Sequence, residues 1–426
     1  MVIGSGVDTL FFFPQRMFPS MKVRLIYPKD GDFPLRYRSR IAPLGLISVA
    51  SLFPGDWEVG YTDERLEPID FEEKVDLVAI SAMTYQASRA YAIADLFRSR
   101  GTRVILGGPH PSVLPLEAGN HADAVVVGEA EGIFPELLAD LEKGRLQPIY
   151  RCAEKIELSN LPLPRRDLLQ GKGYLPVDMI QAARGCPVNC EFCSVSSTFG
   201  RGYRMRPLPE ILAEVQGLGV YLFFVDDNLL IKRSYTVKLL ECFLPLQKRW
   251  VCLSSLRVAD DPDLLHLMAR SGCWLMYVDM GPWLSANLSE RGMGLHQKER
   301  CFENLQRIHD AGIEVIGSFA FGFDHDDPGV FERTVRFCQR AKLDEVEFLI
   351  LTPYPKTRLF ERLEEEGRII ERDWAKYNTM NVVFQPKSMS AEQLLEGYRM
   401  AWREFYSQGR PGPASRIREF TLQPQI

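Results

Sequence analysis

The sequence predicts an α/β protein in which two sets of strand–helix repeats follow one another. Short apolar runs alternate with helix-period segments from residue 21 to about residue 150, and the alternation resumes at residue 178 and continues to residue 351. A stretch rich in proline and charge at 151–176 separates the two sets and has the composition of a surface linker. With 426 residues, the chain is long enough for about two or three domains with full cores.

The first set of repeats predicts a doubly wound domain over residues 21–150. Its apolar runs predict strands at 22–27, 58–62, 77–81, 103–106 and 124–127. Helix-period segments lie between them, at 44–52, 86–98 and 132–141. Such a domain binds its ligands beyond the carboxyl ends of the strands, which here means the loops at 28–40, 81–85, 107–111 and 128–131. Residues 1–20 precede the first strand and are predicted to be a tail.

The second set of repeats predicts six further strands over residues 177–351. They lie at 178–183, 220–225, 250–255, 274–279, 314–321 and 345–351. The helical segments between them include 208–218, 234–246, 262–271 and 298–311. Residues 352–426 hold an acidic helix and a helix that begins at Ser390. They predict a small C-terminal extension, with residues 411–426 frayed.

The most specific motif is a run of three cysteines, Cys186, Cys190 and Cys193, spaced C-x3-C-x2-C. Three thiolates on one short loop suit a soft metal or an iron–sulfur cluster, and one iron of a four-iron cluster is then left without a protein ligand. The alternatives are three buried structural cysteines or three zinc ligands awaiting a fourth. The spacing matches neither the paired cysteines of zinc sites nor a disulfide framework, so we predict a cluster.

This cysteine run, with Phe192 directly before its last member, resembles the radical S-adenosylmethionine family. In that family the amino acid end of S-adenosylmethionine occupies the open iron, and an electron from the cluster splits the sulfonium to give a 5′-deoxyadenosyl radical. The resemblance implies a partial (β/α)6 barrel of the TIM type over residues 177–351, with the chemistry at the carboxyl-terminal mouth of the strands. It also implies an electron donor such as flavodoxin or ferredoxin.

The strand ends of that barrel supply the candidate ligands of S-adenosylmethionine. The run Asp226-Asp227-Asn228 stands where many relatives have Gly-Gly-Glu, the motif that receives the ammonium group. A helix N-cap is the competing role for these residues. Relatives commonly have Gly-x-Glu-Ser after the fourth strand, whereas this chain has Asp-Met-Gly-Pro-Trp from Asp279. The further candidates are Phe192, Ser255, Arg257, Asp279 and Gly322, the last in the segment that resembles the adenine side of the family's site.

Two other segments in or next to the barrel have predicted roles or resemble segments of the family. The basic and aromatic run at 198–207 is a candidate cover for the cluster that offsets its negative charge, or else a solvated loop. The run at 352–357 resembles the family's Thr-Pro-x-Pro-Gly-Thr turn, with Lys356 where glycine is usual.

The loops of the N-terminal domain resemble the Rossmann-like cobalamin-binding domain of many radical S-adenosylmethionine proteins. The resemblance depends on Ala-Pro-Leu-Gly-Leu at 42–46, residues 81–85, Gly-Gly-Pro-His-Pro at 107–111 and Val-Gly-Glu-Ala-Glu at 127–131. Glycines there let the backbone approach a large flat ligand. The candidate cobalamin-binding residues are Ser81, Met83, Thr84, Gly107, Gly108, His110, Gly128 and Glu129.

The loop from Pro28 lacks the Asp-x-His-x-x-Gly motif through which many cobalamin proteins hold the lower face of cobalt. A histidine ligand from that loop is therefore not expected. We expect His110 to hydrogen-bond within its own loop rather than to bind a metal. The alternative for the whole domain is an inherited shape that no longer binds cobalamin.

The resemblance implies a radical S-adenosylmethionine enzyme, with cobalamin-dependent methyl transfer to an unactivated carbon as the favoured reaction. The substrate classes are a small molecule, a lipid or a tetrapyrrole. The alternatives are a radical cyclase, oxidoreductase or rearrangement enzyme and, in another class, a non-catalytic iron–sulfur binding or sensing protein. A methylthiotransferase is disfavoured because residues 21–150 contain no cysteine for a second cluster.

Composition limits the partners and the compartment. A formal net charge of −5 shows no basic excess, which disfavours a nucleic acid partner. The nine cysteines show no regular pairing apart from the motif, as expected in a reducing compartment. No stretch reaches the roughly 18 apolar residues of a membrane span. We therefore expect a cytoplasmic protein with a small-molecule substrate.

Overall fold

The computed structural model describes residues 20–29, 41–152, 154–198, 200–280 and 295–407. Within these residues the chain forms two parallel six-stranded sheets and one two-stranded antiparallel ribbon. The predicted α/β class is confirmed, with a doubly wound domain followed by a partial barrel. The predicted tail, the frayed C-terminus and most of the 28–40 loop lie outside the described residues.

The N-terminal sheet has the strand order β2-β1-β3-β4-β5-β6. Its strands are β1 Lys22–Tyr27, β2 Glu58–Asp63, β3 Leu77–Ser81, β4 Arg103–Gly107, β5 Ala124–Val127 and β6 Ile149–Arg151. The first five were predicted to within a residue at each end. The edge strand β6 was not predicted, because three residues are too few to show a period. The helices of this domain are α1 Leu44–Ala50, α2 Ala87–Ser99, α3 Pro109–Val113, α4 Pro115–Gly119 and α5 Phe134–Glu142.

Both faces of this sheet are buried, which explains the nearly continuous apolar runs of its strands. Leu77 and Ala79 of β3 belong to the core that holds α1 and α5. Val78 and Ile80, which point the other way, belong to the core that holds α2. The covered faces leave the carboxyl-end loops as the open edge of the domain.

The barrel sheet has the strand order β14-β13-β12-β11-β10-β7, with β7 and β14 at its edges. Its strands are β7 Asp178–Ile180, β10 Tyr221–Phe224, β11 Arg249–Ser254, β12 Cys273–Asp279, β13 Glu314–Phe321 and β14 Glu345–Ile350. All six were predicted, but the first ends early, because its last residues enter the ribbon of β8 Ala183–Arg184 and β9 Arg204–Met205. The helices of this part are α6 Val195–Thr198, α7 Leu208–Gln216, α8 Arg233–Phe243, α9 Pro262–Arg270, α10 Leu295–Asp310 and α11 Val330–Arg340.

The C-terminal extension contributes α12 Arg358–Glu365 and α13 Ala391–Tyr406. The predicted start of α13 is confirmed, since Ser390 and Gln393 form a reciprocal capping box. Tyr398, Trp402 and Phe405 of α13 are buried in the same core as β14. The extension therefore covers the β14 edge of the open barrel. No helix among the described residues is both long enough and apolar enough to cross a membrane.

The connection at 151–176 runs over the surface, where polar contacts hold it to the N-terminal domain. The Tyr174 hydroxyl donates to Oδ2 of the fully buried Asp63 at 2.7 Å and lies 2.8 Å from the Tyr61 hydroxyl. The backbone N–H of Arg165 donates to the Ile47 carbonyl at 3.0 Å. Polar partners far away in the sequence hold this segment, and its composition alone does not reveal them.

The turn after β14 offers a test of stability. Lys356 has a φ of 63°, a left-handed conformation that costs a side-chain-bearing residue about 1–2 kcal/mol. Glycine avoids that cost but loses about 0.5–1 kcal/mol through its freer unfolded chain. We expect Lys356→Gly to raise the free energy of unfolding by about 0.5–1 kcal/mol in urea denaturation. Lys387→Gly, at a residue without positive φ, should lower it, and a loss of stability in Lys356→Gly would contradict this account.

Candidate active site

The three cysteines of the motif lie together on the loop between β8 and α6. None of the three thiols is in a disulfide bond, and all three are partly exposed. Burial raises the pKa of the Cys190 thiol, and the neighbouring charges of Cys193, Asp279 and Cys186 raise it further. The backbone N–H of Cys193 donates to the Cys190 carbonyl at 3.2 Å, which closes a turn between them. The loop therefore presents three thiols to one another.

These thiols fit a cluster better than a single ion. No three histidine, cysteine, aspartate or glutamate side chains of the described residues are placed to hold one metal ion together. A four-iron cluster binds each thiolate at a different iron, so its ligands stand further apart than those of a zinc ion. The three thiols lie on one loop, with Cys186 and Cys193 close enough to Cys190 to raise its pKa, and this donor set suits such a cluster.

The two aspartates after β10 have different surroundings. Asp226 is buried, and its carboxylate accepts hydrogen bonds from the backbone N–H groups of Ala182, at 3.0 Å, and Ala183. Burial raises the pKa of Asp226 to about 7, against the effect of these two bonds. Since both oxygens already have backbone donors, Asp226 supports the strand that enters the cysteine loop. Its role as a ligand of S-adenosylmethionine stays a prediction.

Asp227 is half-buried beside the first cysteine. It accepts a hydrogen bond from the backbone N–H of Gly185, burial raises its pKa, and its charge contributes to the raised pKa of Cys186. The Asn228 side chain instead accepts from the backbone N–H of Leu230 at 3.1 Å, which is the local capping role. Of the three predicted residues, Asp227 is the one placed beside the cysteine loop with a carboxylate that bonds to that loop.

The remaining candidates for S-adenosylmethionine lie around the same mouth. Phe192 packs edge-on against Phe323, with ring centroids 6.1 Å apart, and Asp279 is exposed at the end of β12 within electrostatic reach of Cys190. Ser255 caps the short helix that follows β11, and the exposed Arg257 side chain has no partner among the described residues. Gly322, at the end of β13, has a φ of 107°.

Two arginines of the basic run at 198–207 bond to carboxylates, while Tyr203 of the same run lies within electrostatic reach of Cys186. Arg204 donates to Glu129, and Arg206 donates to Glu214 at 2.7 Å. Both acceptors are buried carboxylates; Glu129 lies 75 residues from Arg204, and Glu214 lies eight residues from Arg206. Arg204 and Arg206 therefore pair with these buried carboxylates. The local sequence around the two arginines does not predict this pairing.

Gly185 is a site residue that sequence reasoning missed. It has a φ of 89°, and a Cβ there would collide with the carbonyl oxygen of Gly202. Its N–H is the donor to Asp227. The Arg-Gly-Cys tripeptide at 184–186 was the available signal, because a glycine directly before a metal-binding loop often marks a left-handed turn.

A cavity of about 370 Å³ lies at the carboxyl ends of the N-terminal strands. Six of the eight predicted cobalamin-binding residues line it: Ser81, Met83, Gly107, Gly108, Gly128 and Glu129. The barrel side of the wall is made by Gln181, Arg184 and Val225, which the sequence did not suggest. The cavity is therefore shared between the two domains. Its small and apolar loop residues fit one face of a large flat ligand.

The glycine pair of this wall has a structural reason of its own. Gly108 has a φ of 93°, and a Cβ there would meet Oγ of Ser81 at 2.7 Å and the backbone N of Ala82 at 2.9 Å. A Cβ on Gly107 would find only ordinary contacts with Val126. Close packing of two loops thus requires glycine at 108, while position 107 has room for a Cβ.

Two predicted cobalamin-binding residues do not line the cavity. Thr84 is buried at the start of a short helical turn. His110 is fully buried, and its Nε2 lies 3.3 Å from Oε1 of Glu117. His110 therefore bonds within the protein, as expected, but to helix α4 rather than to its own loop.

Glu129 joins the two domains at the edge of the cavity. Its Oε1 accepts hydrogen bonds from Arg184 at 3.1 Å and from Arg204 at 2.6 Å. Burial alone would raise the pKa of Glu129, but the two guanidinium groups outweigh it and hold the pKa below its usual value. The second guanidinium nitrogen of Arg184 donates to Glu131 at 2.9 Å. A buried ionic cluster thus fixes the loop after β5 against the strand that leads to the cysteines.

Comparison with protein families gives three matches along the chain. A model of the B12 binding domain matches residues 35–138, and a model of the Radical SAM superfamily matches residues 180–338. A third model, for a domain of unknown function, matches residues 357–421. The first match spans β2 to β5 of the N-terminal sheet, and the second spans β10 to β13 of the barrel sheet.

Three relatives are similar over most of the chain. Bacteriochlorophyllide d C-12(1)-methyltransferase of Chlorobaculum tepidum is 32% identical and covers 85% of this chain and 82% of its own. Bacteriochlorophyllide d C-8(2)-methyltransferase of the same organism is 28% identical, with 84% and 83% covered. Hopanoid C-2 methylase of Rhodopseudomonas palustris is 27% identical, with 78% and 66% covered.

Among solved structures, this chain shares its fold with TsrM from Kitasatospora setae, a radical S-adenosylmethionine methyltransferase. The structure of TsrM with cobalamin and a 4Fe-4S cluster bound gives a TM-score of 0.66 at 16% identity, with 93% of this chain and 90% of TsrM covered. The arrangement of a doubly wound domain beside a partial barrel is therefore found in both proteins.

Proposed function

Because the chain belongs to the cobalamin-dependent radical S-adenosylmethionine methyltransferases, we propose that it methylates an unactivated carbon of a tetrapyrrole. The enzyme uses a 4Fe-4S cluster, S-adenosylmethionine and cobalamin, as its two family matches and its methyltransferase relatives indicate. We choose a tetrapyrrole as the substrate because two of the relatives are named as methyltransferases of bacteriochlorophyllide d, which is a tetrapyrrole.

One structural observation supports this proposal above the others. The wall of the cavity continues directly into the cysteine loop, because Arg184 lines the cavity and precedes Cys186 by two residues. In the same way Val225 lines the cavity and precedes Asp227 by two residues. Two cofactors held at these places would face a common space at the domain junction.

The residues of the chain then have distinct tasks. When bound, the cluster and S-adenosylmethionine supply a 5′-deoxyadenosyl radical that removes a substrate hydrogen atom, and cobalamin supplies the methyl group. Asp227 and Asp279 offer carboxylates beside the cysteine loop for the ammonium group of S-adenosylmethionine. Phe192, Ser255, Arg257 and Gly322 contribute further contacts around the mouth. Ser81, Met83, Gly107, Gly108, Gly128 and Glu129 form the cobalamin side.

Three wider features belong to the same proposal. The domains span residues 21–150, 177–351 and 352–426, and residues 151–176 connect the first two. Flavodoxin or ferredoxin donates the electron. The free cysteines favour a reducing compartment, the cytoplasm.

The proposal is tested with trideuterated S-adenosylmethionine and two probes, bacteriochlorophyllide d and a hopanoid. We expect a trideuteromethyl group to replace one hydrogen of the tetrapyrrole, detected by mass spectrometry. A Cys190→Ala variant should give no labelled product. Label found in the hopanoid alone would overturn the choice of tetrapyrrole while keeping the reaction.

Asp227 is the residue that tests the S-adenosylmethionine pocket. Asp227→Ala should weaken S-adenosylmethionine binding by about 1.5–3 kcal/mol, the contribution of a hydrogen bond to a charged group. Isothermal calorimetry on the reconstituted protein measures it. Asp263→Ala, an exposed aspartate in the first turn of α9, should leave the affinity unchanged. If Asp227→Ala also binds S-adenosylmethionine with unchanged affinity, Asp227 is not a ligand and its role is the hydrogen bond to Gly185.

A further inference from the structure

The helix that follows the barrel holds the cysteine loop on both sides of Cys190. The backbone N–H of Leu359 donates to the Glu191 carbonyl at 3.1 Å, and Nε of Arg362 donates to Oε1 of the Glu191 side chain at 2.7 Å. Arg358 donates to the Asn189 carbonyl. Since Asn189 and Glu191 are the immediate neighbours of Cys190, helix α12 fixes the backbone that carries this thiol.

Arg362 is itself held in place by a second carboxylate. Its Nη1 donates to Oδ2 of Asp324 at 2.7 Å, and Arg368 donates to Oδ1 of the same residue at 2.8 Å. Burial alone would raise the pKa of Asp324, but Arg368 and Arg362 outweigh it and lower that pKa. Isolated surface ion pairs contribute little to stability. In a network, one side chain makes several ion pairs, so less side-chain conformational entropy is lost per pair. Arg362 is thus a fixed point between the cysteine loop and the end of β13.

The same segment reaches the N-terminal domain through Trp374. Its indole Nε1 donates to Oε1 of Glu117 at 2.9 Å, and its ring lies edge-on to His110, with centroids 5.4 Å apart. Burial alone would raise the pKa of Glu117, but bonds from His110, Tyr91 and Trp374 lower it. Glu117 is therefore a charged acceptor, and hydrogen bonds to charged acceptors are the stronger kind.

Trp374 lies behind the wall of the cavity without lining it. His110 follows the cavity residues Gly107 and Gly108 and Pro109, and its backbone N–H donates to the Ala82 carbonyl at 3.1 Å. That bond ties the loop after β4 to the loop after β3. Phe360 of α12 packs against the Trp374 ring, with centroids 6.3 Å apart. Packed contacts therefore run without interruption from the cysteine loop to the loops of the cavity.

We propose that residues 357–384, which we call the brace, hold the cysteine loop and the cavity wall at a fixed separation. Arg362 and Trp374 are the positioning residues at its two ends. Methyl transfer to a substrate carbon needs two reactive centres placed to within about an ångström, since a displacement of that size costs about a hundredfold in rate. The inference rests on the proposed function, because it takes the cavity as the cobalamin site.

The N-terminal end of the brace is tested by the affinity of the reconstituted full chain for hydroxocobalamin. Trp374→Phe keeps an aromatic ring and removes the indole N–H, and we expect it to weaken binding by roughly three- to tenfold. Trp402→Phe is the matched control, because it also removes one indole bond, to the Phe348 carbonyl at 3.2 Å, but lies in the barrel core. Its affinity should stay within about twofold of the unmodified chain.

Each outcome of this titration has a defined meaning. Weaker binding in Trp374→Phe alone, with a melting temperature no lower than that of Trp402→Phe, supports the brace. Equal affinity in all three proteins overturns it, and so does equal weakening in both variants. Failure of the unmodified chain to bind hydroxocobalamin overturns the proposed function instead.

The other end of the brace is tested on the cluster. Arg362→Gln should speed the loss of iron from the reconstituted chain to a chelator by roughly threefold, because the loop on one side of Cys190 loses an anchor. It should also alter the electron paramagnetic resonance spectrum of the reduced cluster. Arg336→Gln is the matched control, since Arg336 pairs with Glu332 at 2.8 Å on an exposed helix face. Iron loss and a spectrum identical to those of the control would overturn this end of the proposal.

Discussion

Replacing Cys186, Cys190 or Cys193 by alanine should abolish the absorbance at about 400 nm that a reconstituted iron–sulfur chain shows. Each thiolate holds a separate iron, and the three lie on one loop with no other cysteine of the motif to replace a lost one. Iron bound per chain after desalting should fall with the absorbance. Because no iron then holds S-adenosylmethionine, formation of 5′-deoxyadenosine should stop as well.

The control for this series is Cys242→Ala. Cys242 is a free and partly exposed thiol on α8, so its removal matches the others in exposure without touching the loop. It should keep full iron content and absorbance. Full absorbance in all three motif variants would remove the basis for the cluster.

Glu129→Gln should lower the free energy of unfolding by about 3–5 kcal/mol, because Arg204 loses its buried carboxylate partner and Arg184 keeps only the carboxylate of Glu131. The loop after β5 then loses its bond to the barrel, so the affinity for hydroxocobalamin should also fall. Urea denaturation and an absorbance titration measure the two effects.

The lowered pKa of Glu129 also predicts how the free energy of unfolding depends on pH. The contribution of Glu129 to the free energy of unfolding is present above its ordinary pKa of about 4.5. It is lost as the pH falls through the lowered pKa of the folded protein.

Glu214→Gln is a closely matched control for that variant. Glu214 is buried and accepts from two arginines, Arg166 and Arg206, each at 2.7 Å, but it lies on α7 and does not line the cavity. It should lose comparable stability and keep its affinity for hydroxocobalamin. If both variants bind hydroxocobalamin like the unmodified chain, Glu129 has no part in the cavity beyond stability.

Local patterns were sufficient for the strands and for the cysteine loop. Apolar runs of four or more residues have a readable period, and the thiols of the motif are close in the sequence as well as in space. The cavity was also predictable, because parallel sheets bring the loops at their carboxyl ends to one edge. The three-residue edge strand Ile149–Arg151 was not, since nothing in three residues distinguishes a strand from a loop.

Roles that depend on distant partners could not be predicted from the sequence. Asp226 is a predicted ligand, and its bonds to the backbone N–H groups of Ala182 and Ala183 were not predicted. Arg204 looked like a cover for the cluster, but its partner is Glu129, 75 residues earlier. Trp374 lies 257 residues from its acceptor Glu117, and no periodicity connects them. Long-range pairing of buried polar groups is decided by tertiary structure.

The central claim is that one chain holds an iron–sulfur cluster and cobalamin on either side of a single domain junction. Anaerobic reconstitution with iron, sulfide and hydroxocobalamin tests it most directly, followed by desalting, iron and cobalt analysis, and a dithionite-driven assay for 5′-deoxyadenosine. We predict about four irons and about one cobalt per chain, with 5′-deoxyadenosine formed. Four irons and 5′-deoxyadenosine without cobalt would contradict the claim.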